Sequence, residues 1–167
     1  MNEPLQMIDA APLPFLGVLR VGGADATSFL QGQLTNDVRL LDDGRTQLAA
    51  CNTPQGRVIA LLRLKKADDA IYALLPADLL DRVCTLFRRF VLRSKVDLQI
   101  ASDLQVASVA TVPALPRNAS AQLVAFEYPP GRQVIAASPD TWRSITGPGL
   151  PDAPPHRLDE WLAAEIR

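Results

Sequence analysis

TQLAACNTPQGRVIALLRLKKADDAIYALLPADLLDRVCTLFRRFV, residues 46–91, is the stretch that decides the fold. Three runs of extended character are separated by turn-forming residues, first Thr53-Pro54-Gln55-Gly56 and then Asp68-Asp69. After Pro76, apolar residues recur at three- and four-residue steps, the pattern of an amphipathic helix with proline in its first turn. Strands followed by a helix predict a sheet with a helix packed on one face. The three runs are residues 46–52, 57–65 and 70–75, and the helix extends to Val91.

The flanking sequence extends the same pattern in both directions. Upstream, residues 16–21 read as a strand that ends at Gly22-Gly23, and Asp25 is a candidate N-cap for a short helix. Downstream, residues 96–112 return to a strand pattern, and a hairpin and a helical turn around Trp142 follow. The order predicts an α+β fold with mixed or antiparallel sheets and packed helices. The predicted hairpin joins residues 123–128 to 133–138.

Composition limits the classes of function. The 167 residues include 17 Lys plus Arg against 18 Asp plus Glu, so the formal charge is −1 and no basic excess favours direct nucleic-acid binding. No apolar run reaches the roughly 18 residues that a membrane span needs, and the acidic N-terminal region does not resemble a secretory signal. Two cysteines provide no disulfide framework. We therefore expect a cytoplasmic protein with no membrane partner.

The usual catalytic and metal-binding patterns are missing from the sequence. His156 is the only histidine and lies in a proline-rich loop, where a solvated side chain is the expected state. Cys51 and Cys84 lack CxxC spacing, and Gly22-Gly23 lacks the GxGxxG spacing of a dinucleotide site. These residues predict neither a catalytic group nor a metal site.

A polar cluster at the end of the first helix, residues 31–37, has two interpretations. Gln31-Gly32-Gln33 and Thr35-Asn36-Asp37 combine amides, a hydroxyl and a glycine. Such groups can bring hydrogen-bond donors close to a polar ring. The same groups serve equally well as a cap and turn.

Four segments in this order resemble the YgfZ family, which is related to the T-protein of glycine cleavage. The resemblance covers about residues 13–167, with Ser94-Lys95-Val96 the sharpest part of the third segment. The family's K-G-C-Y-x-G-Q-E motif lies further downstream, so the sequence resembles an N-terminal half. The segments are FLQGQLTNDV at 29–38, CNTPQGRV at 51–58, FVLRSKV at 90–96 and WLAAEI at 161–166.

The resemblance implies a duplicated pair of T-protein-type folate-binding subdomains that exchange their first strands. Residues 1–95 resemble the first subdomain and residues 96–167 the second. The helical pattern at residues 158–166 has no closing cap, so we expect the second subdomain to be truncated at its C-terminus.

The resemblance also implies a function. T-proteins carry a Gly-Gly-x-x-Asp-Asp stretch where this chain has Gly56 to Leu61, so Ala60 and Leu61 replace the two acids. Neither side chain can polarise the folate or move a proton, and no classical catalytic activity is expected.

The function that the resemblance implies is that of a monomeric, tetrahydrofolate-binding accessory protein for iron–sulfur cluster assembly or repair. Its partners would be iron–sulfur enzymes, including some that modify tRNA. The alternatives are an aminomethyltransferase-like enzyme and a ligand-free interaction domain.

Six residues are the candidate folate site under this resemblance. Trp161 maps onto the tryptophan that flanks folate in the family, and Leu16 falls where the family has a second aromatic wall. Amide side chains are candidates for the polar lining, and a cation could attract the glutamate tail of folate. These further candidates are Gln31, Gln33, Asn52 and Arg93.

Overall fold

A computed structural model of the chain describes residues 10–41, 45–110, 123–128, 132–147 and 149–150. Within these ranges lie antiparallel sheets and short helices, which confirms the predicted α+β class. The strands are β1 (Ala10–Pro12), β2 (Leu16–Gly22), β3 (Thr46–Asn52), β4 (Val58–Ala67), β5 (Ala70–Pro76), β6 (Asp97–Ile100), β7 (Gln105–Val109), β8 (Leu123–Tyr128) and β9 (Arg132–Ala137). The α-helices are α1 (Ala26–Gln31), α2 (Leu80–Arg88) and α3 (Pro139–Thr146), and 3₁₀ turns lie at Val38–Leu40 and Ala77–Leu79.

The described residues form two compact units, of which Phe15–Ser102 is one. Its five-stranded sheet has the order β3-β4-β5-β2-β6. The predicted β3–β4 hairpin is confirmed, with Thr46 opposite Lys65 and a register shift at Cys51/Asn52. The Thr53 N–H donates to the Arg57 carbonyl at 2.8 Å, and Gly56 takes a φ of +81° that favours glycine in this turn.

Both helices of this unit pack on one face of the sheet. The buried Val83, Cys84 and Phe87 of α2 join apolar side chains of α1 and of the strands in one core cluster. Phe29 of α1 meets Phe87 edge to face, with ring centroids 5.9 Å apart. The amphipathic pattern after Pro76 is thus confirmed as a core-facing element, although its first turn is the 3₁₀ turn Ala77–Leu79.

Asp25 occupies the predicted N-cap position of α1 but makes a different bond. Its side chain makes no cap hydrogen bond to the helix, and its Oδ2 accepts from the Lys95 N–H at 2.7 Å. The Asp25 N–H donates back to the Lys95 carbonyl at 3.2 Å. This pair connects the Gly22-Gly23 turn to Ser94-Lys95-Val96, two segments that lie far apart in the sequence.

The other unit comprises the described residues before Phe15 and after Ser102. Its four-stranded sheet has the order β1-β7-β9-β8, and the predicted β8–β9 hairpin is confirmed. The helical turn expected around Trp142 is α3, whose N-cap Ser138 accepts from the Thr141 N–H. Trp142 is fully buried, and its Nε1 donates to the Gln105 carbonyl at 2.9 Å. This tryptophan is therefore a core residue of its unit.

Two strands pair with the sheet of the other half of the chain. β1 lies early in the chain but pairs with β7, whereas β6 pairs with β2 through Leu19 to Gly22. The compact units therefore differ from a division into 1–95 and 96–167, because residues 96–102 complete the first sheet and the strand before Phe15 completes the second. The predicted helix at 158–166 lies outside the described residues.

None of the helices in the described part of the chain combines the length and the apolar character needed to cross a membrane.

Candidate ligand-binding face

The face of the five-stranded sheet opposite α1 and α2 carries the strongest candidate site. Side chains alternate between the faces of a strand, and Leu62 and Leu64 of β4 lie in the helix-covered core. The residues between and beside them, Leu61, Arg63 and Lys65, therefore share the opposite face. We call this face, formed by β3, β4, β5, β2 and β6, the helix-free face, because α1 and α2, the α-helices described in this unit, both pack on the other side of the sheet.

Exposure varies across the helix-free face. On its β3–β4 side, Leu48 is 45% exposed and Leu61 is 55% exposed. Towards the centre, Tyr72 and Leu74 of β5 are buried. Ala50 lies directly opposite Leu61. The β3–β4 side thus presents an apolar surface that solvent reaches.

Asn52 lies at the end of β3 beside this apolar surface. Cys51 points into the core and is 1% exposed, so alternation turns Asn52 towards the helix-free face with Ala50. Within the described ranges, Asn52 Oδ1 is buried and has no hydrogen-bond partner. A buried acceptor without a donor costs roughly 1–3 kcal/mol. A ligand N–H at this position would remove that cost.

Basic side chains occupy the other end of the same face. Arg63 lies opposite Leu48 on β3, and Lys65 lies opposite Thr46 on β3 and Tyr72 on β5. β3 and β4 contain no acidic residue. From Asn52 towards Lys65, this face therefore presents first an amide oxygen, then the apolar side chains of Ala50 and Leu61, and then cations.

Arg20 extends the basic row on β2 but is bound to acids. Its guanidinium contacts Asp69 at 3.1 Å and Asp97 at 3.5 Å. Partial burial acts to lower the pKa of Arg20, but its hydrogen bond to Tyr72 and the charge of Asp69 outweigh that effect and raise the pKa. Arg20 is therefore held charged as part of an ion-pair cluster around Tyr72.

The polar cluster at residues 31–37 has structural partners. Gln31 Oε1 accepts from the Val38 N–H at 2.8 Å, and Thr35 Oγ1 accepts from the Ala50 N–H at 2.9 Å. The Asn36 side-chain amide donates to the Leu48 carbonyl, and Asp37 pairs with Arg39. The bonds of Thr35 and Asn36 satisfy backbone groups on the outer edge of β3, and the other two stay within the turn, so the structure supports the cap-and-turn interpretation of this segment.

The six predicted site residues lie in different places. Leu16 and Asn52 share the helix-free face, since Leu19 and Val21 of β2 point into the helix-covered core and alternation turns Leu16 to the other side. Gln33 lies in the turn between α1 and the bridge that joins Leu34 to Cys51. Gln31 makes the bond described above, Arg93 is exposed in the turn after α2, and Trp161 lies outside the described residues.

The residues that replace the T-protein acid pair point to opposite sides of β4. Ala60 is 3% exposed in the helix-covered core, whereas Leu61 lies on the helix-free face. Only position 61 can meet a ligand there, and its leucine offers apolar contact and no proton. The signal for this face was the alternation in Leu61-Leu62-Arg63-Leu64-Lys65. It did not reveal which of the two alternating sets of side chains the helices would cover.

Thiol and metal chemistry have little support at this face. Cys51 and Cys84 are buried in the core, and this burial raises the pKa of both thiols. The described ranges contain no group of three or more His, Cys, Asp or Glu side chains that could hold a metal ion.

Comparisons with known proteins relate the chain to two groups. No family model matches it. The chain is 28% identical to "tRNA-modifying protein YgfZ" of Klebsiella pneumoniae over 163 residues, which cover 87% of this chain and 50% of that protein. It is also 47% identical to an aminomethyltransferase of Anoxybacillus flavithermus over 55 residues, 32% of this chain and 15% of that protein.

The chain is related to YgfZ and to the T-protein. Its fold agrees: the glycine cleavage system aminomethyltransferase T of Bartonella henselae matches with a TM-score of 0.64 at 15% identity, over 94% of this chain and 45% of that chain. The chain spans about half the length of the YgfZ relative and of this T-protein.

Proposed function

We propose that the chain binds tetrahydrofolate or a derivative on the helix-free face and acts as a YgfZ-like accessory protein without aminomethyl-transfer activity. The observation that carries the proposal is the buried, unpartnered Asn52 Oδ1, beside Leu61 on that face. The aminomethyltransferase relative and the T-protein fold support a folate as the ligand.

The chemistry of the face suits a pterin conjugate. A pterin ring has apolar faces and an edge of N–H donors, and it needs apolar contact with a few convergent polar groups. Asn52 Oδ1 offers an acceptor for such a donor, and Leu61, Ala50 and Leu16 offer apolar contact. Leu16 gives contact area without the stacking geometry of an aromatic ring.

Leu61 is compatible with binding of a folate but not with aminomethyl transfer to it. In an aminomethyltransferase a carboxylate beside the folate would handle a proton, and the only residue of the replaced pair on the helix-free face is Leu61. The proposal is therefore that the ligand is held rather than converted. An aminomethyltransferase-like function has no matching acid at this position.

The accessory role is proposed from the relatives. YgfZ proteins carry the name tRNA-modifying, and we propose that iron–sulfur enzymes, including some that modify tRNA, are the partners. Deleting the gene should lower the amount of the nucleosides that such enzymes modify. Unchanged amounts of these nucleosides in the deletion strain would contradict the accessory role.

Asn52→Leu tests the ligand site. Removing an unsatisfied buried acceptor should leave the free energy of unfolding unchanged or raise it, while the dissociation constant for 5-formyltetrahydrofolate, measured by calorimetry, should rise about tenfold or more, the effect of losing one buried hydrogen bond.

Gln47→Leu is the matched control for this experiment. Gln47 Oε1 is the other buried acceptor without a partner in the described ranges, and Gln47 Nε2 donates to the Asp37 carbonyl at 2.9 Å. The control should lose stability by roughly 0.5–1.5 kcal/mol and bind normally. Equal affinity of the wild type and Asn52→Leu would remove Asn52 from the site, and no binding by the wild type would overturn the proposed function.

A further inference from the structure

We propose that residues 88–95, the end of α2 and the turn after it, form a docking surface for an acidic segment of a partner protein. We call this surface the basic turn. The inference rests on the accessory role proposed above and adds which part of the chain meets the partner. It does not involve the helix-free face, because α2 packs on the other side of that sheet.

Two large apolar side chains of the basic turn are exposed to solvent. Phe90 is 51% exposed and Leu92 is 86% exposed, the highest value among the large apolar side chains of the described residues. Val91 between them packs against the core. A single exposed leucine is ordinary on a protein surface, but neighbouring apolar side chains rimmed by polar groups mark an interaction site.

Hydrogen bonds fix both ends of the basic turn. The Phe90 N–H donates to the Phe87 carbonyl at 2.9 Å, at the end of α2. At the other end, the Lys95 N–H donates to Asp25 Oδ2 at 2.7 Å. A backbone held in this way loses little conformational freedom when a partner binds, which favours affinity.

The charged side chains of this region are all cations. Residues 82–96 contain five basic residues and no acid, although the chain as a whole carries −1. The helix α1, which contacts α2 through its Phe29 ring, contains no charged residue. Within the described ranges, no acid pairs with Arg88, Arg89 or Arg93, and all three are exposed. The basic turn therefore presents positive charge to solvent.

The acids that border this region have other roles. Asp25 Oδ2 accepts the Lys95 N–H as described above, and Asp97 contacts Arg20 at 3.5 Å. Two further acids lie in the first turn of α2 or before it, where they suit the positive end of the helix dipole: Asp81 and Asp78. An acidic partner at the basic turn would therefore meet cations first.

The helix dipole explains only part of this positive charge. A cation in the last turn of a helix interacts favourably with the dipole, and Arg88 lies there. The effect falls off within that turn, whereas Arg93 and Lys95 lie beyond the helix. The dipole therefore gives no reason for these two cations.

The combination of apolar and cationic side chains indicates the kind of partner. Protein interfaces have an apolar centre and a polar rim, and they are enriched in arginine and aromatic residues. Phe90 and Leu92 would form such a centre, with Arg89 and Arg93 at its rim. Charge complementarity then requires a negative partner surface, which also disfavours basic partners.

A nucleic acid is the other polyanion that could meet these cations. Single-stranded nucleic acids are bound by cations and by aromatic rings on which bases stack. Arg89, Arg93 and Phe90 would meet that requirement, but it gives no reason for the exposed Leu92. An acidic protein segment with apolar side chains of its own accounts for all four residues.

Photocrosslinking from position 92 tests what covers the basic turn. Cys51 and Cys84 are buried, so a benzophenone maleimide should label Leu92→Cys at its new thiol. The labelled chain is illuminated in an extract of the cells that express it, in about 0.05 M NaCl, and crosslinked products are identified by mass spectrometry. We expect peptides of another protein in which Asp plus Glu exceed Lys plus Arg. In about 0.5 M NaCl the yield should fall, because salt screens exposed charges.

Leu40→Cys is the matched control for position 92. Leu40 is also an exposed leucine, at 70%, but it lies in the 3₁₀ turn Val38–Leu40. The acidic peptides captured from position 92 should be missing from its products. Capture of the same peptides from both positions would overturn the docking surface, as would the absence of any crosslink from position 92.

The crosslinked product also distinguishes other occupants. A nucleotide adduct would show a nucleic-acid partner, and a peptide of this protein would show that another part of it, or a second copy, covers the basic turn. A neutral or basic peptide of another protein would show that charge does not select the partner. Each of these results overturns the inference.

Arg89→Gln/Leu92→Ser relates the surface to the accessory role. Both side chains are exposed, so the variant should unfold at the same urea concentration as the wild type and bind 5-formyltetrahydrofolate with unchanged affinity. In cells it should lower the modified nucleosides as deletion of the gene does. The control Leu40→Ser/Arg45→Gln, which also removes an exposed leucine and an exposed cation, should leave them unchanged.

The outcomes separate this inference from the proposed function. Normal amounts of the nucleosides in Arg89→Gln/Leu92→Ser, in a host where the deletion lowers them, overturn the docking surface and leave the accessory role standing. Equal losses in this variant and its control also overturn the docking surface. Unchanged nucleosides in the deletion strain overturn the accessory role, and the crosslinks from position 92 then decide whether an acidic segment docks there.

Discussion

At the scale of single residues, polar side chains in the segments that resemble the family, or beside them, make hydrogen bonds to the backbone. Gln31 Oε1 accepts from the Val38 N–H, and Asp25 Oδ2 accepts from the Lys95 N–H. The sequence predicted polar function at Gln31 and a helix cap at Asp25, since amides and carboxylates suit both roles. It could not show the partner of Asp25, because Lys95 is 70 residues away.

Gly23→Ala should destabilise the chain more than Gly56→Ala. Both glycines have positive φ, +100° and +81°, which costs another residue about 1–2 kcal/mol. A Cβ at Gly23 would also lie 2.2 Å from the Lys95 carbonyl oxygen, whereas a Cβ at Gly56 would meet nothing within 4 Å. Urea unfolding of both variants measures the difference. Equal losses would show that the close approach of Gly23 to Lys95 contributes nothing.

Stability should fall above the ordinary pKa of a thiol, about 8.5. Burial raises the pKa of Cys51, and burial also raises that of Cys84 although Arg88 partly opposes it. Below pH 8.5 the thiols are protonated in the folded and in the unfolded chain, so their full contribution to the free energy of unfolding is present. Above it the unfolded chain loses protons that the folded chain retains, and the free energy of unfolding falls by up to about 1.4 kcal/mol per pH unit and thiol.

Urea unfolding between pH 8 and 9.5 measures this dependence, with Cys51→Ala/Cys84→Ala as the comparison. The double variant should show a flatter profile than the wild type over this range. Parallel profiles would mean that neither thiol retains its proton in the folded chain beyond the ordinary range.

At the scale of elements, local signals predicted the strands better than their faces. The β3–β4 hairpin followed from alternation and from Thr53-Pro54-Gln55-Gly56, which are properties of neighbouring residues. The side of β4 that α1 and α2 cover depends on contacts with distant segments. The resemblance named Leu16 and Asn52 as candidate site residues, which stay a prediction, and local patterns did not identify Arg63 and Lys65 as members of the same face.

Thr35→Val should loosen the segment that follows the outer edge of β3. Thr35 Oγ1 accepts from the Ala50 N–H at 2.9 Å, and the Thr35 N–H donates to the Ala50 carbonyl at 3.0 Å. Valine keeps the shape and removes the acceptor, so we expect a loss of roughly 0.5–1.5 kcal/mol and faster exchange of the Ala50 amide hydrogen. Thr35→Ser retains the hydroxyl and should preserve amide protection. Equal exchange in both variants would argue against the side-chain bond.

At the scale of the whole molecule, the exchanged strands decide which residues form a unit. Pairing over long sequence distances has no local signature, so the sequence predicted a strand in residues 96–112 without showing that its parts join different sheets. Asp97–Ile100 pairs with β2, and Gln105–Val109 pairs with β1 and β9. The resemblance implied the exchange, but the boundary at residue 95 separates β6 from its sheet.

A fragment of residues 15–102 should be more stable than a fragment of residues 15–95. The longer fragment contains all five strands, whereas the shorter one leaves β2 as an unpaired edge and removes Leu98, which is 8% exposed in the core. Burial of one such leucine contributes about 1.5–3 kcal/mol, and the lost backbone pairs with Leu19 to Gly22 add to that difference. Urea unfolding of the two fragments, with amide exchange of the full chain as a second measurement, provides the comparison.

In the full chain, the amide hydrogens of Asp97–Ile100 should exchange together with those of β2 and not with those of β7, since a strand opens together with the sheet in which it is paired. Equal stability of the two fragments, or exchange of β6 together with β7, would mean that residues 96–102 belong energetically to the second unit.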